Sequence, residues 1–304
     1  MKRELVIIGA GPAGLSAAIY AARAGIDVLV CEGGMYGGQL VNTESIKNYP
    51  SYKFVEGWEL ARNMYLQAEE CGAEFLYENV ISVTEDDGGF KIKTDKNEIT
   101  AVAVIIANGS KRRRIGCKGS DRYEGLGISY CASCDGQLYK GEAVAVVGGG
   151  ENAFEDALYL SSLCKEVHLC AKKITASDEI KTAVEGKENI VLYENVYPTE
   201  IHGEMRVTGM TVSDGENQTH IPLSAVFTAL GQTRDNAIFA TVVVVDDSGY
   251  IIAGEDCATD TKGVWAAGDT RTKPLRQIVT ATADGATAAT AAASYIIKKR
   301  KNKI

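Results

Sequence analysis

Apolar runs without a polar position recur along this chain, each followed by a glycine turn or a helical stretch. Leu5-Val6-Ile7-Ile8 has the pattern of a strand buried on both faces. Gly9-Ala10-Gly11-Pro12-Ala13-Gly14 follows, and the alanine-rich stretch from Leu15 to Ala24 has no internal breaker and predicts a helix. Asp27-Val28-Leu29-Val30-Cys31 predicts a second strand, with Glu32 at its end. Trp58 to Glu70 is amphipathic with helical spacing. Glu74 to Thr100 alternates and is broken by Asp86-Asp87-Gly88-Gly89, the pattern of a small β-meander with a hairpin. Ala103-Val104-Ile105-Ile106-Ala107 is another buried strand, ending in Asn108-Gly109-Ser110. The same order then repeats. Ala143-Val144-Ala145-Val146-Val147 precedes Gly148-Gly149-Gly150-Glu151-Asn152-Ala153, a helix from Phe154 to Leu163 and a strand at Glu166-Val167-His168-Leu169. Ala225-Val226-Phe227-Thr228-Ala229-Leu230-Gly231 closes this middle region, and Val242-Val243-Val244-Val245 reads as the strand that returns the chain to the first domain. Gly263-Val264-Trp265-Ala266-Ala267-Gly268-Asp269 is a strand ending in Gly-Asp, followed by Leu275-Arg276-Gln277-Ile278-Val279 and an alanine-rich helix near 281–297.

The first glycine turn fits a dinucleotide. Gly9 permits a tight turn, Gly11 lets the backbone approach a pyrophosphate, and Gly14 lets helix and strand pack closely. The helix N-terminus faces the phosphates, and Glu32 lies where a carboxylate binds a ribose hydroxyl. A second glycine-rich run, Gly33-Gly34-Met35-Tyr36-Gly37-Gly38-Gln39-Leu40, implies backbone close to the same ligand. The turn at Gly148, Gly150 and Ala153 repeats the G-x-G-x-x-A pattern, yet its specificity residues are weak. Cys170-Ala171-Lys172-Lys173 follows its second strand, and no arginine occurs from there to Arg206. A 2′-phosphate is usually gripped by the planar fork of Arg, which Lys does not reproduce. Nor is there an acid for free ribose hydroxyls.

Composition narrows the class. A 304-residue chain with 45% hydrophobic and 24% charged residues holds two ordinary soluble domains. A net charge of -8 gives no reason to expect nucleic acid. The start Met1-Lys2-Arg3 before an apolar run mimics a signal peptide, but the glycine motif sits inside the stretch that cleavage would remove. No run of about 18 apolar residues suggests a membrane span. Eight cysteines without an export signal point to a reducing, cytoplasmic setting. Cys31, Cys71, Cys117, Cys164, Cys170 and Cys257 are scattered and read as buried or inert thiols. Two basic runs stand out, Lys111-Arg112-Arg113-Arg114 at a domain junction and the tail Lys298-Lys299-Arg300-Lys301 with Lys303. Each reads as a solvated segment or as a docking patch for an acidic protein.

The remaining two cysteines carry the chemistry. Cys131-Ala132-Ser133-Cys134-Asp135 is a C-x-x-C with an acid directly after it. That spacing serves a redox disulfide or half of a metal site. A metal needs four ligands, and there is no second cysteine pair, while His168, His202 and His220 lack ligand spacing and read as structural. No metal is therefore expected. Two nucleotide-type units with a dithiol between them suggest electrons passing between a dinucleotide, a flavin and a disulfide.

With these motifs assembled, the chain resembles the low-molecular-weight thioredoxin reductases over nearly its whole length. The residues carrying the resemblance are Gly9 to Gly14, Gly37 to Leu40, Cys131 to Gly136, Gly148 to Ala153, Gly268-Asp269 and Arg276-Gln277-Ile278. It implies an α/β protein of two Rossmann-like, three-layer ββα dinucleotide-binding domains, the second inserted in the first. Residues 1–111 and 245–304 would form the FAD domain and 112–244 the redox-disulfide domain, with linkers near 108–114 and 240–246 on which the domains rotate. FAD would be held by Gly9, Gly11, Pro12, Ala13, Gly14, Glu32, Gly33, Gly37, Gly38, Gln39, Leu40, Asn48, Val80, Gly268, Asp269, Arg276, Gln277 and Ile278. Cys134 would face the flavin, Cys131 would attack the disulfide of thioredoxin, and Asp135 would protonate the leaving thiolate. A homodimer is implied as well. The family's basic signature for NADPH falls here on Ala171, Lys172, Lys173 and Ser177, and the segment Gly231-Gln232-Thr233-Arg234 lacks the usual proline. In this the chain is similar to the ferredoxin-linked flavin thioredoxin reductases. The expected donor is therefore ferredoxin, slightly ahead of NADPH. Two other readings keep the same motifs: a flavin oxidoreductase on another dithiol or disulfide partner, and a flavoprotein that senses without turnover. A hydroperoxide-reductase subunit would need a dithiol domain ahead of Gly9.

Overall fold

A computed structural model describes residues 1–43, 45–233 and 235–301; the side chains of Asn42, Lys111, Arg112 and Gln232 also lie outside the description. The chain folds into two units, Met1–Lys111 with Thr233–Ile304, and Arg112–Gln232. The crossing segments β7 (Lys111–Arg112) and β16 (Gln232–Thr233) form a two-stranded ladder of their own.

The first unit is built on a parallel sheet in the order β3 (Glu74–Leu76), β2 (Val28–Cys31), β1 (Lys2–Ile8), β6 (Glu98–Ile106). Strand β6 forks the sheet. Its early residues pair antiparallel with β5 (Gly89–Thr94), which pairs with β4 (Val80–Asp86). Its last residues pair parallel with β17 (Val264–Ala266). The meander is thus β4-β5-β6, and Glu74 to Leu76, which the alternation also assigned to it, instead extends the parallel sheet beside β2.

Strand β1 shows why this sheet needs two covering layers. Leu5 and Ile7 point to a core shared with α1 (Pro12–Arg23), α2 (Gly57–Glu70) and α6 (Ile278–Lys301), while Val6 and Ile8 point to a core under the meander. All four are at most 5% exposed, and each such side chain contributes about 1.5–3 kcal/mol of burial. Helix α1 starts with Pro12 in its first turn, where a missing N–H costs nothing, and stops before Gly25 at φ +73°. Helix α6 lies tightly on it: a Cβ at Gly285 would be driven into the Ala13 carbonyl oxygen. The alanines of α6 (Ala281, Ala288, Ala289, Ala292, Ala293) are buried there.

The second unit repeats the plan. Its parallel sheet runs β11 (Ile190–Glu194), β10 (Glu166–Ala171), β9 (Ala143–Val147), β15 (Ala225–Thr228), β8 (Ile128–Ser129). Helices α3 (Ala132–Asp135), α4 (Glu151–Ser161) and α5 (Asp178–Glu185) belong to it, with α4 and α5 against one face of the sheet. An antiparallel sheet of β12 (Tyr197–Gly203), β13 (Val207–Ser213) and β14 (Gln218–Pro222) covers the other.

One boundary expectation needs correction. The return crossing comes at Gln232–Thr233 and not at 244/245. Val242-Val243-Val244-Val245 is no strand. Val242 and Val243 are buried with Phe239 in the core under the meander, Val244 and Val245 are exposed, and Val245 makes only an isolated bridge to Ile251. The Thr241 hydroxyl donates to the Val83 carbonyl at 2.5 Å, which ties the segment to the first unit. Four adjacent valines satisfied a burial pattern that a turn meets equally well.

Candidate functional site

The first glycine turn sits at the carboxyl ends of β1, β6 and β17. Gly9 has φ +104°, and a Cβ there would stand 2.5 Å from the Ala107 carbonyl oxygen at the end of β6. A Cβ at Gly14 would be driven into the Gly9 carbonyl. At Gly11 nothing lies within 4 Å, so that side of the turn is open. No side chain caps α1 and no acid stands in its first turn, so the positive end of the helix opens on the same space.

The surrounding segments converge on this turn. Gly38 backs onto it, with its Cβ direction 3.4 Å from the Gly11 Cα, and the Gly37 N–H donates to the Ala10 carbonyl at 2.7 Å. The Glu32 carboxylate accepts from the Ala10 N–H at 2.8 Å and the Gly34 N–H at 3.0 Å, so one side chain fixes both glycine loops. Each oxygen keeps a further lone pair for a ligand hydroxyl. Gly33 lies where a Cβ would meet the side chain of Asn79. Gln39 donates from Nε2 to the Ser110 carbonyl at 2.5 Å, and Leu40 is buried. Gly268, at φ +81°, packs on Ala13: a Cβ there would stand 2.8 Å from the Ala13 Cβ, and Asp269 follows in the same turn. Asn48 donates to Gln277 Oε1 at 3.1 Å, and the Arg276 guanidinium lies 3.8 Å from the centre of the Tyr250 ring. Val80 is the half-buried first residue of β4. Ile278 opens α6, three residues ahead of the alanine-rich stretch expected to be helical near 281–297.

The sequence reading missed what holds this cradle from behind. Asp284, on the buried stripe of α6, accepts from the Gly268 N–H at 2.9 Å, from Arg271 at 2.9 and 2.8 Å, and from Lys273 at 2.7 Å. Burial pushes its carboxyl up, but the hydrogen bonds from Arg271, Lys273 and Gly268 outweigh that and hold it below the usual carboxylate range. Asn236, 2% exposed, accepts from Asn108 and Thr270 at 3.0 Å each and donates to the Gly249 carbonyl at 2.9 Å. A lone acid between Ala281 and Ala288 at helical spacing was the available signal for Asp284.

In the second unit, Cys131 and Cys134 form a disulfide across α3, with Cα atoms 5.3 Å apart. Cys131 is the N-cap of that short helix, and its sulfur accepts from the Cys134 N–H at 3.2 Å. Ser133 Oγ lies 3.4 Å from the same sulfur. When the bond opens, both groups are placed to donate to a Cys131 thiolate. The Asp135 carboxylate accepts from Ser129 Oγ at 2.6 Å.

The second glycine turn keeps the fold geometry but differs in its surroundings. A Cβ at Gly148 would stand 2.5 Å from the Ala229 carbonyl at the end of β15. A Cβ at Gly149 would be driven into the Lys173 carbonyl, because the segment after β10 folds onto the turn. Thr175 and Ala176 donate their N–H groups to the Gly149 carbonyl at 2.7 and 3.2 Å. Ala171 is buried, Lys172 stacks 5.6 Å from the Tyr197 ring centre, and Lys173 is exposed. Ser177 is clasped by Glu151 in the first turn of α4, its N–H at 2.9 Å and its hydroxyl at 2.8 Å.

The other cysteines divide. Cys31, Cys164, Cys170 and Cys257 are buried; burial pushes Cys31 and Cys170 up to about 12 and Cys257 up to about 11. Cys71 and Cys117 are only half-buried. Among the described residues no group of three or more His, Cys, Asp and Glu could hold a metal ion, and no helix is long and apolar enough to cross a membrane.

Residues 3–285 match the profile of the pyridine nucleotide-disulphide oxidoreductases. The chain belongs to that family. Within it, the chain is 38% identical to the thioredoxin reductase of Treponema pallidum over 299 residues, 96% of this chain and 97% of that one. Its fold matches the crystal structure of thioredoxin reductase from Streptococcus pyogenes with a TM-score of 0.94 and 33% identity, covering 98% and 99% of the two chains. A ferredoxin-flavin thioredoxin reductase from Clostridium acetobutylicum matches at a TM-score of 0.54 and 26% identity, over 98% and 99%. As a disulphide oxidoreductase of the thioredoxin reductase type, the protein has FAD as its cofactor. The residues present fit that group: the open side at Gly11 and the uncapped α1 would receive a pyrophosphate, and the Glu32 carboxylate would accept from a ribose hydroxyl.

Proposed function

We propose that the protein reduces the disulfide of thioredoxin through Cys131 and Cys134, and that its electrons come from ferredoxin. The observation that carries the first part is the Cys131–Cys134 disulfide on α3 with Asp135 hydrogen-bonded beside it. FAD, when bound in the Gly9–Gly14 cradle, supplies the two electrons that open this disulfide. The chain's own residues do the rest. Cys131, held by the Cys134 N–H, attacks one sulfur of the partner disulfide as a thiolate. A mixed disulfide forms, and the departing partner thiolate takes a proton from the Asp135 carboxyl. The Asp135 carboxylate then accepts the Cys134 proton as that sulfur attacks Cys131, and passes it to the second partner thiolate. The enzyme's S–S bond forms, the partner's breaks, and two electrons and two protons have moved to the partner.

The donor reading rests on the second glycine turn. Its side chains present no guanidinium from 171 to 177, its two lysines are exposed, and Ser177 is engaged by a carboxylate. These features oppose a nucleotide 2′-phosphate. The relatives compared are thioredoxin reductases, and the Clostridium acetobutylicum protein carries ferredoxin in its name. NADPH is the second reading, favoured by the preserved backbone of that turn at Gly148 and Gly149.

The two basic runs differ as entry points for an acidic donor. Helix α6 has 24 residues and therefore spans about 36 Å, with the cradle at its first turn. At its far end Arg300 pairs with Glu4 and Lys299 donates to the Gly88 carbonyl, beside the start of β1. The tail thus lies at the opposite end of its unit from the cradle, and Lys303 lies outside the described residues. In the run at 111–114, Arg114 is paired with Asp121 and Glu124 at 3.3 Å each, and Arg113 is exposed.

Anaerobic stopped-flow tests the donor. Reduced ferredoxin should bleach the flavin absorbance and NADPH at micromolar concentration should not. Rapid bleaching by NADPH overturns the ferredoxin reading, and thioredoxin left oxidised by the reduced protein overturns the whole.

A further inference from the structure

The hydroxyl of Ser129 has no assigned part in the thiol chemistry above, yet it stands between the two groups that perform it. Ser129 is the last residue of β8, the edge strand of the parallel sheet in the second unit, where Phe227 of β15 fixes its register. It is 5% exposed. Its Oγ donates to Asp135 Oδ2 at 2.6 Å and accepts from the Cys131 N–H at 3.2 Å. A longer contact of 3.5 Å to the Cys131 carbonyl competes poorly for the single hydroxyl proton. The result is a short chain, Cys131 N–H to Ser129 Oγ–H to Asp135, that spans the redox turn from its first cysteine to its acid. A strand residue holds both ends, so the link is anchored in the sheet and not in the turn that reacts.

We propose that Ser129 is a positioning residue for proton delivery: its hydroxyl holds the Asp135 carboxyl against the Cys131 turn and stabilises the carboxylate left after the proton departs. The step it supports is the transfer of the Asp135 proton to the partner thiolate expelled when Cys131 attacks. In that step the Cys131–partner S–S bond forms, the partner's own S–S bond breaks with its electron pair on the leaving sulfur, and the proton goes from Asp135 to that sulfur. A hydrogen bond to the ionised carboxylate is charge-assisted and strengthened by burial. This inference rests on the reading of Asp135 as the proton donor.

The leaving group separates the proposed role from a structural one. An alkyl thiolate, such as thioredoxin releases, needs the proton; the aryl thiolate released by dithionitrobenzoate leaves readily without one. The full-length flavoprotein is reduced anaerobically with dithionite, which bypasses the natural donor, and mixed with either disulfide in stopped-flow. Ser129→Ala should slow thioredoxin reduction by about tenfold, the effect of losing a charge-assisted hydrogen bond, and leave the aryl disulfide within about twofold. Ser129→Thr and Ser129→Val form a matched pair of one shape, with and without the hydroxyl, and serve should the alanine protein fail to fold. The threonine protein should keep both rates and the valine protein should behave as the alanine one. Equal slowing with both disulfides, no slowing with either, or threonine as slow as valine overturns the proposal. Asp135→Asn separates the two levels: if it leaves thioredoxin reduction unchanged, the reading of Asp135 fails; if it slows it while Ser129→Val does not, only the role of Ser129 fails.

Discussion

The two glycine turns are built alike and lined differently. In each, the first glycine passes under the carbonyl just past a neighbouring parallel strand, Ala107 after β6 for Gly9 and Ala229 after β15 for Gly148, and a Cβ would stand 2.5 Å from it in both. The difference lies in what surrounds them. At the first turn the acid is Glu32 at the end of β2, α1 has no acid in its first turn, and Gly11 faces open space. At the second turn the acid has moved to Glu151 in the first turn of α4, β10 runs into Ala171 and two lysines, and the segment to Ser177 folds back over Gly149. The backbone of the glycine turn is therefore common to both units as a condition of the fold, while the two differ in a few residues at strand ends and helix starts and in the segment that covers Gly149.

The sharpest way to break this comparison is through the network behind the first turn. Asp284→Asn leaves Arg271, 2% exposed, and Lys273 without their carboxylate. Removing one partner of a buried ion pair costs about 3–5 kcal/mol, so the variant should lose most of its stability in denaturant melts and release its flavin. The pH dependence follows from the same group. The folded carboxyl of Asp284 is held below its ordinary value, so its contribution is fully present above the unfolded value of about 3.9. That contribution falls away as the pH drops through the lower folded value, and the parent should lose stability there while Asp284→Asn shows a smaller change.

Next in size is a contrast within the first turn. Gly14→Ala drives a methyl into the Gly9 carbonyl and should cost about 3 kcal/mol through displaced backbone, visible as a lowered melting temperature. Gly11→Ala meets nothing within 4 Å and should fold as the parent does, yet it fills the open side and should weaken FAD binding. Equal melting temperatures for the two variants would show that the glycines serve one purpose. Glu32→Ala follows, removing the acceptor for Ala10 and Gly34. Loss of a charge-assisted hydrogen bond of roughly 1.5–3 kcal/mol predicts flavin retention reduced about tenfold to a hundredfold on dialysis.

Much of this was legible in the chain because it is local. Strand, glycine turn, helix and strand lie within some thirty residues of each other, and both units were readable from periodicity and glycine position alone. So was the C-x-x-C on α3. What was not legible is set by pairings distant in sequence. Asp284 meets the Gly268 turn only because α6 lies back along α1, and Asn236 joins Asn108 to Thr270 across the return of the chain. The return crossing was misplaced because four valines read as one strand, whereas two bury and two face solvent. Strands β12 to β14 went unread because their inward residues, Ile201, Met210 and Ile221, are spaced among histidines, threonines and glycines that break the alternation.

The smallest expected effect is the one that tests whether side chains alone separate the two turns. Ala171→His, Lys172→Arg, Lys173→Arg and Ser177→Arg together restore a basic set around the second turn, and the last also frees Glu151 from its clasp on the Ser177 hydroxyl. The backbone there already adopts the glycine geometry, so the structural cost of the set lies in fitting a histidine at position 171, where the alanine is fully buried. A single new bidentate Arg–phosphate pair is worth about 1.4 kcal/mol or more, which predicts NADPH binding tightened at least tenfold by fluorescence titration. The improvement should be modest because the Lys173 carbonyl still covers Gly149 and the Glu151 carboxylate remains at the start of α4, each opposing an incoming phosphate whatever side chains surround them. Adding Glu151→Gln to the set removes that charge and should raise the affinity again. If the protein carrying all five substitutions binds NADPH no better than the parent, the closure of the second turn lies in its backbone, and the likeness of the two turns ends at Gly148.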